Sequence, residues 1–235
     1  MTGTLYLVPN LLGAVPPSSV LPQRTLAVAR DLQHWVVETP KAARAFLKTL
    51  DLVRPIAALD MRALADASGN ADVELLLAPA RVGRDVGMLS DAGCPGIADP
   101  GAALVAAAHR LGVPVVPLVG PSAVLLALMA SGMNGQSFAF HGYLPVKPAP
   151  RGAAIRALEE NSRLHRRTQL FIETPYRNAA MIGALAAALQ PRSVVCIAAD
   201  LTLPTETIER RSAAQWRTQD PARFDKRPAI FLLQA

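Results

Sequence analysis

Short runs of branched and aromatic residues alternate with longer Ala- and Leu-rich stretches through the first half of the chain. Residues 5–8 (Leu-Tyr-Leu-Val) predict a first strand, stopped by Pro9. Residues 20–31 predict a helix and 35–38 a second strand. A helix over 40–50 follows, with Pro40 at its opening, where a missing N–H costs nothing. The pattern continues with a weak strand at 56–59, a polar stretch at 66–70 and a helix near 72–79. Then come a strand at 86–89, a helix at 102–110, a strand at 113–118 and a helix at 121–131. Strands and helices alternating at this spacing imply right-handed βαβ units and a largely parallel sheet.

The texture changes after residues 138–143. Residues 144–150 hold Pro145, Pro148 and Pro150 and predict a linker. Beyond it, 151–161 predicts a helix, 169–172 a strand and 177–190 a long Ala-rich helix. Strand-like segments at 193–198, 206–211 and 229–233 then crowd the end of the chain, which points to a mixed sheet. The expected architecture is α/β throughout: an N-terminal α/β domain over 1–143 and a C-terminal α/β domain over 144–235.

The stretch between the strand at 86–89 and its helix carries the most chemistry. Ser90-Asp91-Ala92-Gly93-Cys94-Pro95-Gly96-Ile97-Ala98-Asp99-Pro100-Gly101 packs three glycines, two prolines and two aspartates into one strand-to-helix loop. In an open α/β sheet ligands bind just beyond the carboxyl ends of strands. Glycine there permits close backbone approach, and aspartate supplies acceptors for a polar or cationic ligand. Asp99-Pro100 also fits a plain helix start, with Asp as N-cap and Pro in the first turn. Cys94 is either a nucleophile or a small residue in a tight turn.

Bulk properties narrow the class. The 235 residues are 51% hydrophobic and 18% charged, a soluble globular composition. The dense segment 111–130 is broken by glycines and prolines, against a membrane span. No basic region precedes the first strand, so no signal peptide is expected. Cys94 and Cys196 are far apart without metal-ligand spacing, which suggests reduced thiols in a cytoplasmic protein. Net charge is +6, with a pI near 9.9, mildly favouring a polyanionic partner. The chain lacks a Walker-type phosphate loop, a Gly-x-Gly-x-x-Gly turn after the first strand and a Gly-x-Ser-x-Gly elbow. Its four histidines show no metal spacing, so no metal site is expected.

Further motifs stand in and around the loop at 90–101: Leu5-Tyr6-Leu7-Val8-Pro9, Leu89 to Gly93 with Pro95, Ala98-Asp99-Pro100-Gly101, and Val116-Pro117-Leu118 with Gly120-Pro121-Ser122-Ala123. Together they resemble the tetrapyrrole-methylase superfamily of S-adenosylmethionine-dependent methyltransferases. Gly142-Tyr143-Leu144-Pro145 and Phe171-Ile172-Glu173-Thr174-Pro175-Tyr176-Arg177 extend the likeness over nearly the whole chain. Within the superfamily the chain is most similar to the branch of small-subunit ribosomal RNA cytidine 2′-O-methyltransferases.

The resemblance implies two α/β domains with S-adenosyl-L-methionine bound in a cleft between them. It implies that Pro9 lines the cleft and that Asp91, Gly93, Ile97, Ala98 and Asp99 surround the amino-acid and ribose portions of the cofactor. Ser137 and Phe138 would contact the cofactor after the fourth helix, and Glu173, Leu201 and Ala229 would approach it from the second domain. For a ribose hydroxyl acceptor, Glu38 and His141 are the candidate general bases. The implied partners are RNA and a second copy of the chain in a homodimer, with no membrane. The branch usually carries Pro-Ile-Gly-Asn in the first loop and Glu-Asp-Thr-Arg after the second strand. Here Leu11-Leu12-Gly13-Ala14 and Glu38-Thr39-Pro40-Lys41 stand instead, and Ala57 to Arg62 replaces a histidine-rich segment. Those departures bear on the acceptor more than on the methyl donor. A tetrapyrrole or other small acceptor, and a cofactor-binding module without transfer, therefore stay open as alternatives.

Overall fold

A computed structural model describes residues 2–67 and 69–235. The chain divides into two compact units, Met1–Ser122 and Ala123–Ala235. The boundary expected after Tyr143 falls instead between a strand and a helix of the second unit.

Unit 1 is built on a five-stranded sheet, sheet A. Its elements in chain order are β1 (Leu5–Val8), α1 (Gln23–Asp31), β2 (His34–Val37), α2 (Pro40–Leu47), β3 (Asp60–Ala63), α3 (Asn70–Leu75), α4 (Ala78–Arg81), β4 (Val86–Leu89), α5 (Ala102–Arg110) and β5 (Val115–Pro117). The strand order is β3-β2-β4-β1-β5, and every neighbouring pair is parallel. Along β1, Leu5 and Leu7 face the layer of α3, α4 and α5, while Tyr6 and Val8 face that of α1 and α2. This period-2 alternation, with both faces covered, is why short apolar runs suffice to specify the sheet. Gly87 leaves room for Trp35: a Cβ at Gly87 would lie 2.8 Å from the indole ring.

Several boundaries differ from the sequence reading. Residues 56–58 form a 3-10 turn, with Pro55 just before it, and the strand lies at Asp60–Ala63. The helix expected near 72–79 is two short pieces, α3 and α4, with Pro79 in the first turn of the second. The helix at 20–31 begins only at Gln23, after Pro22. Of the polar stretch at 66–70, Ser68 lies outside the described residues.

Unit 2 contains α6 (Ala123–Ser131), β6 (Phe138–Tyr143), α7 (Pro148–His165), β7 (Thr168–Ile172), α8 (Asn178–Ala188), β8 (Val194–Ala199), β9 (Thr207–Ser212), α9 (Ala213–Trp216) and β10 (Ala229–Gln234). Sheet B has the order β6-β7-β10-β8-β9. Only β6 and β7 are parallel; the other pairs are antiparallel, so the mixed sheet is borne out. One face packs under α7, α8 and α9 around Phe171 and Phe231, whose rings stack at 5.5 Å. Burying a side chain of that size contributes about 1.5–3 kcal/mol. α6 packs against β8, β9 and β10.

The proline-rich linker proves shorter than expected. Pro148 and Pro150 sit in the first turn of α7, where the missing N–H groups would have had no helical partner. That helix runs 18 residues and ends at Arg166 in the left-handed conformation. Among the described residues no helix is long and apolar enough to cross a membrane.

Candidate functional site

The strand order of sheet A creates a topological switch. The connection leaving β1 runs through α1 to β2, and the connection leaving its neighbour β4 runs through α5 to β5, on the other side of β1. Loops that diverge from adjacent parallel strands open a crevice at their carboxyl ends. Val8 pairs with Leu89, so Pro9-Asn10 and the loop 90–101 start side by side at that crevice.

Asn10 ties the floor of the crevice together. Its side-chain Nδ2 donates to the carbonyls of Ser90 (3.0 Å) and Asp91 (2.9 Å), and its Oδ1 accepts from Leu11 N–H at 2.8 Å. Its own N–H donates to Gly93 O at 2.8 Å. A buried amide with each end satisfied holds two loops in one geometry. Sequence reasoning missed this residue. The signal was present as an Asn directly after Pro9, but nothing in one sequence says which backbone it will reach.

Glu38 and Asp91 brace one another across β2 and β4. Asp91 N–H donates to Glu38 Oε2 at 2.9 Å, and the Asp91 carboxylate accepts from Thr39 N–H (3.1 Å) and the Thr39 hydroxyl (2.9 and 3.1 Å). Thr39 in turn caps α2 by accepting from Ala42 N–H. Asp99 completes the group. Burial first, and then the negative charge of Glu38, pushes its carboxyl up to about 6; Ser90 donates against that shift, and Asp91 adds to it. None of these three carboxylates has an ion pair among the described residues. The result is a local negative field without a protein cation, suited to a cationic ligand.

The glycines shape the walls. Gly93 at φ 68° and Gly96 at φ 78° turn the loop through the left-handed region. At Gly120 a Cβ would meet Pro9 Cβ at 2.4 Å, so the turn after β5 lies directly on the Pro9 ring. Asp99 is not the N-cap of α5: that position is Gly101, at φ 140°, which displaces the helix start beyond Pro100. Cys94 is no activated nucleophile, since burial pushes its thiol up and Sγ lies 3.5 Å from Pro121 O. Burial likewise pushes the Cys196 thiol up to about 11.

Pro9, Asp91, Gly93, Ile97, Ala98, Asp99 and Glu38 thus gather at the carboxyl edge of sheet A. Ile97 is exposed, and Ala98 adopts φ 65°. A separate cavity of about 400 Å3, lined by Tyr6, His34, Arg84 and Asp85, sits at the opposite, amino edge of that sheet.

The candidates in unit 2 divide between two edges of sheet B. Glu173, Leu201 and Ala229 lie at one edge, as the pairing of Ile230 with Ile172 and of Ala229 with Ala199 requires. Glu173 is buried; its Oε1 accepts from Thr174 N–H (2.7 Å) and Arg177 Nε (2.9 Å), while Oε2 has no partner. Ser137 and Phe138 lie at the opposite edge, beside Thr168. Ser137 accepts from Arg167 Nε at 3.3 Å, a structural contact. His141 Nε2 lies 2.6 Å from Gln169 Oε1, so that nitrogen is engaged within β6 and β7. Among the described residues no cluster of three His, Cys, Asp or Glu could hold a metal ion.

The family model for Tetrapyrrole (Corrin/Porphyrin) Methylases matches residues 23–216. The chain belongs to this family. Its members' fold is evident also in the crystal structure of the methyltransferase CobJ, with a TM-score of 0.64 at 18% identity over 99% of this chain and 94% of that one. Two curated relatives are named Ribosomal RNA small subunit methyltransferase I and place the chain in that branch of the methylases. The one from Micromonospora olivasterospora is 36% identical over 89% of this chain and 63% of its own length. The one from Pasteurella multocida (strain Pm70) is 30% identical over 95% of this chain and 76% of its own length. The chain thus spans less than two thirds of the first relative and about three quarters of the second.

Proposed function

We propose that this protein transfers the methyl group of S-adenosylmethionine to RNA of the small ribosomal subunit, at a ribose 2′-hydroxyl. The observation that carries the reading is the switch-point crevice with three carboxylates and no protein cation, in a methylase chain whose curated relatives bear an RNA methyltransferase name. S-adenosylmethionine supplies a methyl group already activated by the positive charge on its sulfur. The protein's task is then to hold donor and acceptor in line and to keep water away.

The donor side falls to the loops of sheet A. Gly93, Ile97 and Ala98 offer backbone to the polar ends of the cofactor, and Asp91 is the brace that keeps this loop against β2. Asp99, ionised once a cation is near, stabilises the sulfonium until transfer discharges it. Glu38 has Oε1 free of the Asp91 contact and is the candidate to accept the hydroxyl proton. His141 is the weaker candidate, because Gln169 already occupies its Nε2. Glu173, Leu201 and Ala229 are kept as cofactor contacts on the family resemblance alone, whereas Ser137 and Phe138, at the other edge of sheet B, are set apart from them. The working form we infer is a cytoplasmic homodimer; light scattering across concentrations that returns only a monomer removes that part.

The test has two stages. Calorimetry with S-adenosylmethionine and its demethylated product should give saturable binding, lost in Asp91→Ala. Labelled methyl should then pass to small-subunit ribosomal RNA and survive alkali as a protected linkage. Absent binding by folded protein defeats the donor assignment. Binding with transfer to a tetrapyrrole alone, or with no transfer, moves the protein to one of the other acceptor readings opened by Ala14, Pro40 and Lys41.

A further inference from the structure

Residues 147–167 hold six cationic side chains against two carboxylates, four of the chain's net +6 charges. Most of this segment is α7. Between its C-terminal half and the turn joining α8 to β8 opens a cavity of about 550 Å3, lined by Arg156, Glu159, Glu160 and Arg163 from α7 and by Arg192 and Ser193 from the turn. It lies at the edge of sheet B away from Glu173, Leu201 and Ala229, since Val194 of β8 pairs with Gln234 and Ala199 with Ala229.

The two carboxylates are both committed. Glu160 pairs with Arg163, whose Nη2 reaches one oxygen at 2.6 Å and whose Nε reaches the same oxygen at 3.1 Å. Glu159 is buried and turned inward: Oε1 accepts from Gln190 N–H at 2.8 Å and from the Ser193 hydroxyl at 2.5 Å. Ser193 N–H closes the same turn on Gln190 O at 3.0 Å. One carboxylate therefore clamps both ends of a four-residue turn. Pro191 is its second residue, where a fixed φ is favoured. The third residue is Arg192, presented to the cavity by a backbone with little freedom.

Arg156 and Arg192 are exposed, and neither has an ion pair among the described residues. A second groove of about 330 Å3 shares Arg156 and continues along α7 to Arg151, walled by Ala184, Ala187 and Ala188 of α8. Arg151 Nε is buried there without an acceptor. Guanidinium groups with open N–H forks match phosphate oxygens, and a row of them across two joined grooves matches a linear polyanion better than a single compact anion.

We propose that Arg151, Arg156 and Arg192 form a track that docks the phosphodiester backbone of the acceptor RNA, with Glu159 as the positioning residue that holds Arg192 in line. This rests on the RNA reading above and adds where the RNA is gripped. The track touches no reacting atom, so it acts on RNA affinity and not on the chemical step.

The test compares full-length variants for binding to a labelled 20-nucleotide polyuridylate as a function of salt. Each phosphate contact on a single strand contributes about 0.7 to the salt slope, so Arg156→Ala with Arg192→Ala should lower it by about 1.4 and weaken binding about tenfold at low salt. Arg24→Ala with Arg54→Ala, two exposed cations of unit 1, controls for net charge. Glu159→Ala removes a negative charge, so bulk electrostatics predicts tighter binding. The clamp predicts weaker binding, restored by Glu159→Gln, which keeps the acceptor oxygen. Thermal melts confirm that each variant folds. With small-subunit ribosomal RNA as substrate, the arginine pair should raise KM with kcat unchanged. Equal losses in both arginine pairs, tighter binding by Glu159→Ala, or saturation by inorganic phosphate without RNA competition would overturn the track. Methyl transfer to RNA that persists in those cases leaves the proposed function standing. Wild-type cofactor binding without any RNA affinity overturns both.

Discussion

In unit 1 all five strands run parallel, so every strand-to-helix loop leaves sheet A at one edge. In unit 2 only β6 and β7 are parallel, and loops emerge from sheet B at both edges. The consequence shows in the candidate residues. Pro9, Glu38, Asp91, Gly93, Ile97, Ala98 and Asp99 come together although they span 90 positions of sequence, whereas Ser137 and Phe138 part from Glu173, Leu201 and Ala229. The charges differ in the same way. Several carboxylates of unit 2 carry their own cations, Glu173 with Arg177, Asp200 with Arg227, and Glu209 with Arg211 and Arg223, while Glu159 is held by neutral donors. Those at the crevice of unit 1 carry none. A parallel sheet can concentrate like charge at one edge and leave it to a ligand; a mixed sheet divides its loops, and the charges they carry, between two edges.

That contrast can be broken by substitution. The largest loss of thermal stability should come from Arg177→Ala, which leaves the Glu173 carboxylate shut from water without a counter-ion. A melt no lower than that of Arg163→Ala, whose Glu160 partner is exposed, would show that the unit 2 pairing is incidental. Asn10→Ala should cost about 2–3 kcal/mol in denaturant unfolding, because the carbonyls of Ser90 and Asp91 lose their donor. It should also weaken S-adenosylmethionine binding. Gly120→Ala should cost about 1–3 kcal/mol, since its Cβ has nowhere to go against the Pro9 ring.

Asp99 gives a smaller and pH-dependent effect. A carboxyl raised from 3.8 to about 6 binds its proton more tightly folded than unfolded. Stability contributed by this group therefore falls as pH rises from about 4 to about 6. Asp99→Asn should remove that slope, matching the parent below pH 4 and exceeding it above pH 6. Cofactor affinity should move the opposite way, tightening with pH through 6 in the parent and staying flat in the variant. A flat profile in the parent separates Asp99 from the cation. The smallest effect belongs to Arg163→Ala, with a melt unchanged within error, since an exposed ion pair adds little.

The elements of unit 1 were legible because both faces of sheet A are covered and the apolar runs of β1, β2 and β4 are short, stopped by Pro9 after β1 and by the polar residues Glu38 and Ser90 after β2 and β4. Prolines caused most of the boundary errors. Pro148 and Pro150 look the same in a linker as in the first turn of α7, because in both places the missing N–H is harmless. The strand near Ile56 shifted to Asp60–Ala63 for want of any alternation strong enough to fix it.

By itself, the sequence determined the α/β class, the mixed second sheet and the family. These rest on periodicity and on motifs whose meaning is local to a strand end. Tertiary structure decided that Asn10 is the tie between two loops, that Glu38, Asp91 and Asp99 share one uncompensated field, and that Glu159 clamps the turn carrying Arg192. Each depends on contacts across 31 to 81 positions of chain, set by strand order and register, and those quantities leave no mark on a single sequence.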